Sequence, residues 1–197
     1  MPAERSQSAR RKPRGSATTS AERMKRICYA VAASLDGYIA GPYGEADWIV
    51  IDPEIDFEAL FKRFDTVLMG RRTFAAMEKM GQGPMSGMET FVFSRTLEQR
   101  KHSNVTILGD KAEETVAALR AKRGKDIWLF GGGSLFRSLL AARLVDTVEV
   151  AVVPVLLGDG IPLLPSLATR TELKLMKHRL YQKTGIISLE YSVEHTP

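Results

Sequence analysis

The sequence predicts an α/β fold, with helices layered on a mostly parallel mixed sheet that has an antiparallel edge. Three observations predict it. Apolar runs of strand length alternate along the chain with segments of helical spacing, the pattern of repeated strand–helix–strand units. Several strand runs end in a glycine or small polar residue that opens a helix or loop, as parallel crossovers do. The last two strand runs flank Lys183-Thr184-Gly185, a hairpin signal that makes one edge antiparallel.

The elements follow in order. Ile27–Ser34 reads as a buried strand, and Leu35–Gly41 as a loop. Ile55, Phe57, Leu60, Phe61 and Phe64 recur at helical spacing, so residues 54–64 are predicted helical. Thr66–Met69 is a short strand, followed by Gly70 and a helix to Lys79. After turn residues 81–87 come strands at Thr90–Phe93 and Val105–Leu108. Asp110 fits a helix N-cap with Glu113 three residues on, and the helix extends to about Lys122 with Ala112, Val116 and Leu119 on one stripe. Ile127–Phe130 is the next strand and runs into three glycines and a helix over Leu135–Ala142. Thr147–Val153 is a strand, residues 158–165 form a Gly/Pro loop, and Leu173–Tyr181 with Ile186–Val193 form the terminal hairpin.

Composition narrows the function classes. The chain has 197 residues, 44% hydrophobic and 26% charged, which fits one globular domain. Cys28 is the single cysteine and only three histidines occur, so a disulfide scaffold and a structural zinc site of four Cys or Cys/His ligands are excluded. His102, His178 and His195 show no ligand spacing, and no metal is expected. No apolar run approaches the ~20 residues that span a bilayer.

The net charge of +5 has a local origin. Residues 1–26 hold eight of the 28 basic residues and two of the 23 acidic ones, which leaves the rest of the chain at −1. Residues 1–24 are therefore read as a disordered basic tail, with residues 25–197 as the folded domain and Met24 as a candidate start. The tail lacks the apolar segment of a secretory signal, so the protein is expected in the cytoplasm, and nucleic acid is an unlikely partner for a near-neutral domain.

Three stretches carry chemistry, each at the end of a buried strand, where ligands of open α/β sheets sit. In Leu68–Phe74, Gly70 permits close backbone approach, Thr73 offers a hydroxyl, and Arg71 and Arg72 flank a helix start, a donor set for phosphate oxygens. A capped helix with solvated arginines would read the same. In Phe130–Leu135 three glycines precede a helix, which suggests a ligand or another strand against the backbone. Phe136 stands where a Rossmann fingerprint needs its third glycine, so that dinucleotide fold is disfavoured. In Val92–Arg95 a hydroxyl and a guanidinium could take a ribose 2′-phosphate, or form an ordinary polar turn. Asp36 directly follows the first strand and could orient a heterocycle or place a proton, or simply form the turn before Gly37. Ser34, Ser94 and Ser134 have no evident His/Asp partners for a hydrolase triad.

Taken in order, SLDGYIAG (34–41), MGRRTF (69–74), FVFSR (91–95), WLFGGGSLF (128–136) and the late loop Leu157–Gly160 resemble the dihydrofolate-reductase-like superfamily. The SLDG signature is most similar to the reductase domain of the bacterial riboflavin-biosynthesis deaminase–reductase and its stand-alone relatives. The H-x-E and C-x-x-C signature of a deaminase half has no counterpart here.

The resemblance implies a three-layer α/β/α reductase that binds NADPH across the strand ends. It implies that Gly70, Arg71, Arg72 and Thr73 meet the coenzyme phosphates, and that Ser94 and Arg95 contact its adenosine side. Gly131, Gly132 and Gly133, with Ser134 and Leu135, would approach pyrophosphate and nicotinamide, with a cis peptide at Gly131–Gly132. Ile39 and Ala40 would flank the nicotinamide. Asp36 would orient a small pyrimidine-like or pterin-like substrate and assist protonation during hydride transfer to a C=N or C=O carbon. Dihydrofolate reductases carry an acid on their first helix, and the FKR segment (61–63) aligns Phe57 with it, so folate is the weaker substrate. A dihydrofolate reductase proper and a non-catalytic NADP-binding protein are the alternatives, and a homodimer through the terminal strands is implied.

Overall fold

A computed structural model describes residues 23–109, 111–166 and 170–194. The tail up to residue 22, the Asp110 cap and His195 lie outside the described residues. Arg23 donates to Asp126 at 2.8 Å. Lys25 is buried, with its ammonium on Asp65 and Thr66.

The strands are β1 (Ile27–Ser34), β2 (Tyr38–Ala40), β3 (Phe64–Gly70), β4 (Glu89–Phe93), β5 (Thr106–Leu108), β6 (Asp126–Gly131), β7 (Thr147–Val153), β8 (Ile161–Pro162), β9 (Glu172–Leu180) and β10 (Ile187–Glu194). The helices are α1 (Phe57–Lys62), α2 (Arg71–Lys79), α3 (Ala112–Arg120) and α4 (Gly133–Ala141). Eight strands form one sheet in the order β5-β4-β3-β6-β1-β7-β10-β9. From β5 to β7 all neighbours are parallel, while β10 runs antiparallel to both β7 and β9. This is the mostly parallel mixed sheet with an antiparallel hairpin edge that the sequence predicts.

Side-chain alternation sorts the core into two layers. Ile27, Tyr29 and Ala33 of β1 face α3 and α4, where they meet Val116, Leu119, Phe136 and Leu139. Cys28 and Ala30 face the other way, into a cluster with Phe64, Val67, Met69, Trp128 and the α2 residues Phe74 and Met77. Helices therefore cover both faces. Each fully buried Ile, Leu or Phe in these layers contributes about 1.5–3 kcal/mol.

Two expectations change. The predicted helix over 54–64 shrinks to α1, because Asp52 and Asp56 use their carboxylates locally. Asp52 accepts from the Glu54 N–H and holds a turn, and Asp56 caps the helix through the Ala59 N–H at 2.8 Å. Phe64 joins β3 instead. The stretches read as loops at 35–41 and 158–165 each contain a short strand, and these pair as the separate two-stranded β2–β8 sheet.

The sheet opens at one seam. β1 pairs with β6 only over Ile27–Tyr29, although β1 continues to Ser34. The Ala30 carbonyl accepts instead from the Trp128 indole N–H at 2.9 Å. Chain order reverses around this seam, since β3 lies on one side of β6–β1 and β7 on the other. Open α/β sheets place ligand crevices at such points.

Candidate functional site

The three chemistry-bearing stretches meet at the carboxyl ends of β4, β3 and β6, which are direct neighbours. Register sets Gly70 beside Phe93 and Met69 beside Gly131. A Cβ added to Gly131 or Gly132 would lie 3.4 or 3.3 Å from the Thr73 hydroxyl, so the first turn of α2 rests on the glycine reversal. Arg71 reaches Thr96 of the third stretch, with Nη1 3.4 Å from the hydroxyl oxygen. The Gly131–Gly132 peptide is cis, as the resemblance implies.

Both helices that start on this rim start on glycine. Gly70 is the N-cap of α2 and Gly132 that of α4, each in extended conformation and neither with a side-chain cap. The first N–H groups of these helices lack a capping oxygen, and helix dipoles add positive character there. Arg71 and Arg72 are exposed beside one of them, and Ser134 is exposed on the other. Such an arrangement suits phosphate oxygens.

Ser94 is buried and accepts from the N–H groups of Thr96 at 3.2 Å and Leu97 at 3.0 Å, which fixes the turn after β4. Exposed Arg95 borders an open recess of about 330 Å³ that Ser94, Leu97, Gln99, Ile107 and Gly109 also line.

Gly133 answers a different need. Its Cβ would come within 2.8 Å of the Pro162 carbonyl oxygen and of Pro165, so this glycine admits another chain segment against its backbone. Leu135 is half-buried on α4 and packs against the core. Ile39 and Ala40 sit on β2, with Ala40 paired to Ile161.

Asp36 is exposed, and its carboxylate accepts from the Ser34 hydroxyl at 2.6 Å, the Gly158 N–H at 2.8 Å and the Leu157 N–H at 3.1 Å. These bonds, the Ser34 hydroxyl foremost, hold its pKa below the ordinary carboxylate value.

No carboxylate of α1 turns toward the sheet. Asp56 caps the helix and exposed Glu58 pairs with Lys62. The acid beneath this helix comes from β7. Glu149 is bidentate to the Arg63 guanidinium and accepts from the Cys28 thiol at 3.0 Å. Burial works to raise the Glu149 pKa, and the bonds from Arg63 and Cys28 outweigh it, leaving the group below its ordinary value. Burial, with Glu149 beside it, pushes the Cys28 thiol far up and leaves it inert. Asp52 is buried and accepts from the Thr184 hydroxyl at 2.8 Å, tying the segment before α1 to the terminal hairpin turn. Sequence reasoning missed Glu149 and the partners of Arg63 and Asp52, because each pairing is made with a residue distant in the chain. Among the described residues no group of His, Cys, Asp and Glu side chains could hold a metal ion.

The RibD C-terminal domain family profile matches residues 25–187. The chain belongs to the RibD C-terminal domain family. A Bacillus subtilis (strain 168) relative, the uncharacterized protein YyaP, is 33% identical over 181 residues, covering 86% of this chain and 95% of its own. A Shewanella sp. PV-4 protein named for riboflavin biosynthesis has a similar structure, with a TM-score of 0.74, 29% identity, and coverage of 87% of this chain and all of that one. Enterococcus faecalis dihydrofolate reductase, solved with NADP(H) and RAB-propyl, shares the fold with a TM-score of 0.62 at 17% identity, covering 88% and 99% of the two chains. As a RibD C-terminal domain protein, the chain belongs to a reductase-like family on the dihydrofolate-reductase-like fold.

Proposed function

We propose that the protein is an NADPH-dependent reductase that transfers hydride to a C=N or C=O carbon of a small heterocycle, as a 5-amino-6-(5-phosphoribosylamino)uracil reductase does. The observation that carries this reading is the meeting of the three reversals at one rim, with two uncapped helix starts and the flanking arginines. Gly70, Arg71, Arg72 and Thr73 fit one run of phosphate oxygens. The uncapped start of α4, with Gly131, Gly132 and Ser134, fits the pyrophosphate, and Gly133 and Leu135 shape that turn from behind. The recess beside Ser94 and Arg95 fits the adenosine end with its 2′-phosphate. Ile39 and Ala40, on the short strand that follows β1, would flank the nicotinamide where it meets its substrate.

NADPH supplies the hydride when bound. The chain's part is to hold the reacting carbons near ~3–3.5 Å and to exclude bulk water. For the product proton, water at the rim is the better source than Asp36. A carboxylate held ionised by three donors has no proton to give near neutral pH. Folate is disfavoured by the absence of an inward carboxylate on α1.

The reading also extends to a homodimer. β9 is an edge strand exposed along its whole length. It carries Leu173, Leu175 and Leu180, and Ile187 lies on the strand beside it. An apolar recess lined by Phe136, Leu140, Val148, Leu163, Leu164 and Leu173 adjoins the start of β9. A long exposed edge that carries leucines among its charges can take a second chain. A sedimentation mass of one chain would remove the dimer.

The deciding experiment titrates the protein with NADPH and with NADH, then follows NADPH oxidation with the deaminated ribosylaminopyrimidine phosphate and with dihydrofolate in parallel. Saturable NADPH binding with turnover of the pyrimidine is expected. No saturable binding would end the reductase reading, and binding without turnover would favour a non-catalytic NADP-binding protein.

A further inference from the structure

We infer that Asp36 is a positioning residue: its carboxylate latches the loop after β1 to the loop after β7, so that the two move as one flap carrying Ile39 and Ala40 at the rim. The inference rests on the NADPH reading for what the flap serves, and not for the latch itself.

The two loops are joined at several points. The Leu35 N–H donates to the Val155 carbonyl at 2.9 Å, and the Leu163 N–H donates to the Gly37 carbonyl at 2.9 Å. Beyond the Gly37 bond, Tyr38 pairs with Pro162 and Ala40 with Ile161. A Cβ on Gly160 would run into the Ala40 carbonyl oxygen, so the strands approach as closely as a glycine allows. At the free end of this ladder Asp36 receives the N–H groups of Leu157 and Gly158, which start the late loop and have no other acceptor among the described contacts. Ser34 sets the carboxylate, since its hydroxyl donates to Asp36 while accepting from the Tyr38 N–H at 2.9 Å.

The far end of the flap touches the coenzyme cradle. Pro162, Leu163 and Pro165 press on Gly133, in the first turn of α4. One carboxylate thus holds a ladder whose one side bears Ile39 and Ala40 and whose other side backs the glycine reversal. The geometry assigns Asp36 a mechanical task, because the donors it binds are all backbone or neighbouring side-chain groups of the flap.

The test uses the full chain with three variants: Asp36→Asn, Ser34→Ala, and Asp36→Asn combined with Tyr38→Cys and Pro162→Cys. The last pair faces across the β2–β8 ladder, and directly opposed residues of an antiparallel pair lie about 4.5–5.5 Å apart at Cα, within disulfide reach. NADPH affinity is read by fluorescence titration, and loop opening by limited proteolysis.

Asp36→Asn turns an amide toward N–H donors and should weaken NADPH about tenfold, the loss typical of charge-assisted hydrogen bonds, while new cleavage appears in residues 35–41 or 155–163. Ser34→Ala should give a smaller change in the same direction, and remains informative if Asp36→Asn does not fold. The oxidised cysteine pair should restore affinity and protection, and dithiothreitol should undo both. A chemical role for the carboxylate could not be restored by a cross-link. Wild-type affinity and protection in folded Asp36→Asn, or a formed disulfide that restores neither, would overturn the latch. If the wild-type chain does not bind NADPH, the coenzyme reading fails, and the proteolysis pattern alone decides the latch.

Discussion

Arg71 and Arg95 stand at neighbouring strand ends, and the roles proposed for them differ from those of buried core residues in being separable from folding. Both are exposed, and Arg71 reaches the Thr96 hydroxyl at 3.4 Å. Replacing Arg71 with Ala should leave the melting temperature within a degree or two, since exposed substitutions cost under about 0.5 kcal/mol, and Arg95→Ala is the parallel variant. A guanidinium bound to phosphate contributes about 1.5–3 kcal/mol, so NADPH affinity should fall roughly 10–100-fold in the variant that holds the 2′-phosphate, with NADH affinity unchanged. Parallel titrations with the two coenzymes check this, and an unchanged preference in both variants would remove the 2′-phosphate assignment. Gly133 supports the opposite kind of prediction. Ala at this position would push a methyl to within 2.8 Å of the Pro162 carbonyl oxygen, and overpacking of this kind costs about 1–3 kcal/mol. A lowered melting temperature for Gly133→Ala is expected, and an unchanged one would show that residues 162–165 yield easily.

At the scale of elements, α1 is the exception in a well-packed chain. It buries no side chain, and Phe57 and Phe61 remain 37% and 40% exposed. Polar pins add to the half-buried Leu60 and to the Phe61–Trp128 ring contact at 5.7 Å. Arg63, its C-cap, is bidentate to Glu149, and Asp52 with Glu54 ties the preceding segment to Thr184 and Arg179 of the hairpin. Arg63→Met would leave Glu149 partly buried beside the Cys28 thiol without its countercharge. Breaking a fully buried pair costs 3–5 kcal/mol, and with the guanidinium about a third exposed the expectation is about 2 kcal/mol. Chemical denaturation of Arg63→Met, Glu149→Gln and the double variant measures it, and the double variant should lose less than the sum.

The local code for these elements was legible. Apolar alternation located every strand of the main sheet, and the glycine and polar stops located α2 and α4. The α1 boundary was not legible, because the helical spacing of residues 54–64 says nothing about Asp52 choosing Thr184 as its partner 132 residues away. The strands β2 and β8 were also hidden, since three- and two-residue strands have no period to detect.

At the scale of the molecule, carboxylates set the response to acid. Glu149, Asp65, Asp36 and Asp52 all have pKa values below their ordinary ones in the folded chain. For Asp65, burial works to raise the value, and the bonds from Lys25, Thr66 and the Lys125 N–H more than offset it. A group whose folded pKa is depressed stabilises the fold fully above its unfolded value, near pH 4, and that contribution is lost as the pH falls toward the folded value. Melting temperatures should therefore be flat from pH 7 to about 5 and decline steeply below about 4. A stability that holds constant to pH 3 would contradict the ion-pair and hydrogen-bond assignments.

The amino-acid sequence by itself determined the layered α/β order, the hairpin edge and the placing of three glycine- and hydroxyl-bearing stops at strand ends, because hydrophobic period and backbone freedom are properties of neighbouring residues. It also carried the motif order that marks the family. Only the tertiary structure decided that those stops share one rim, since strand adjacency depends on how crossovers pack and not on the strands themselves. The tertiary structure also decided which donors the Asp36 carboxylate meets. A carboxylate next to a glycine has the same local chemistry whether it meets a substrate or a loop, and its partners at 157 and 158 arrive from 121 and 122 residues away.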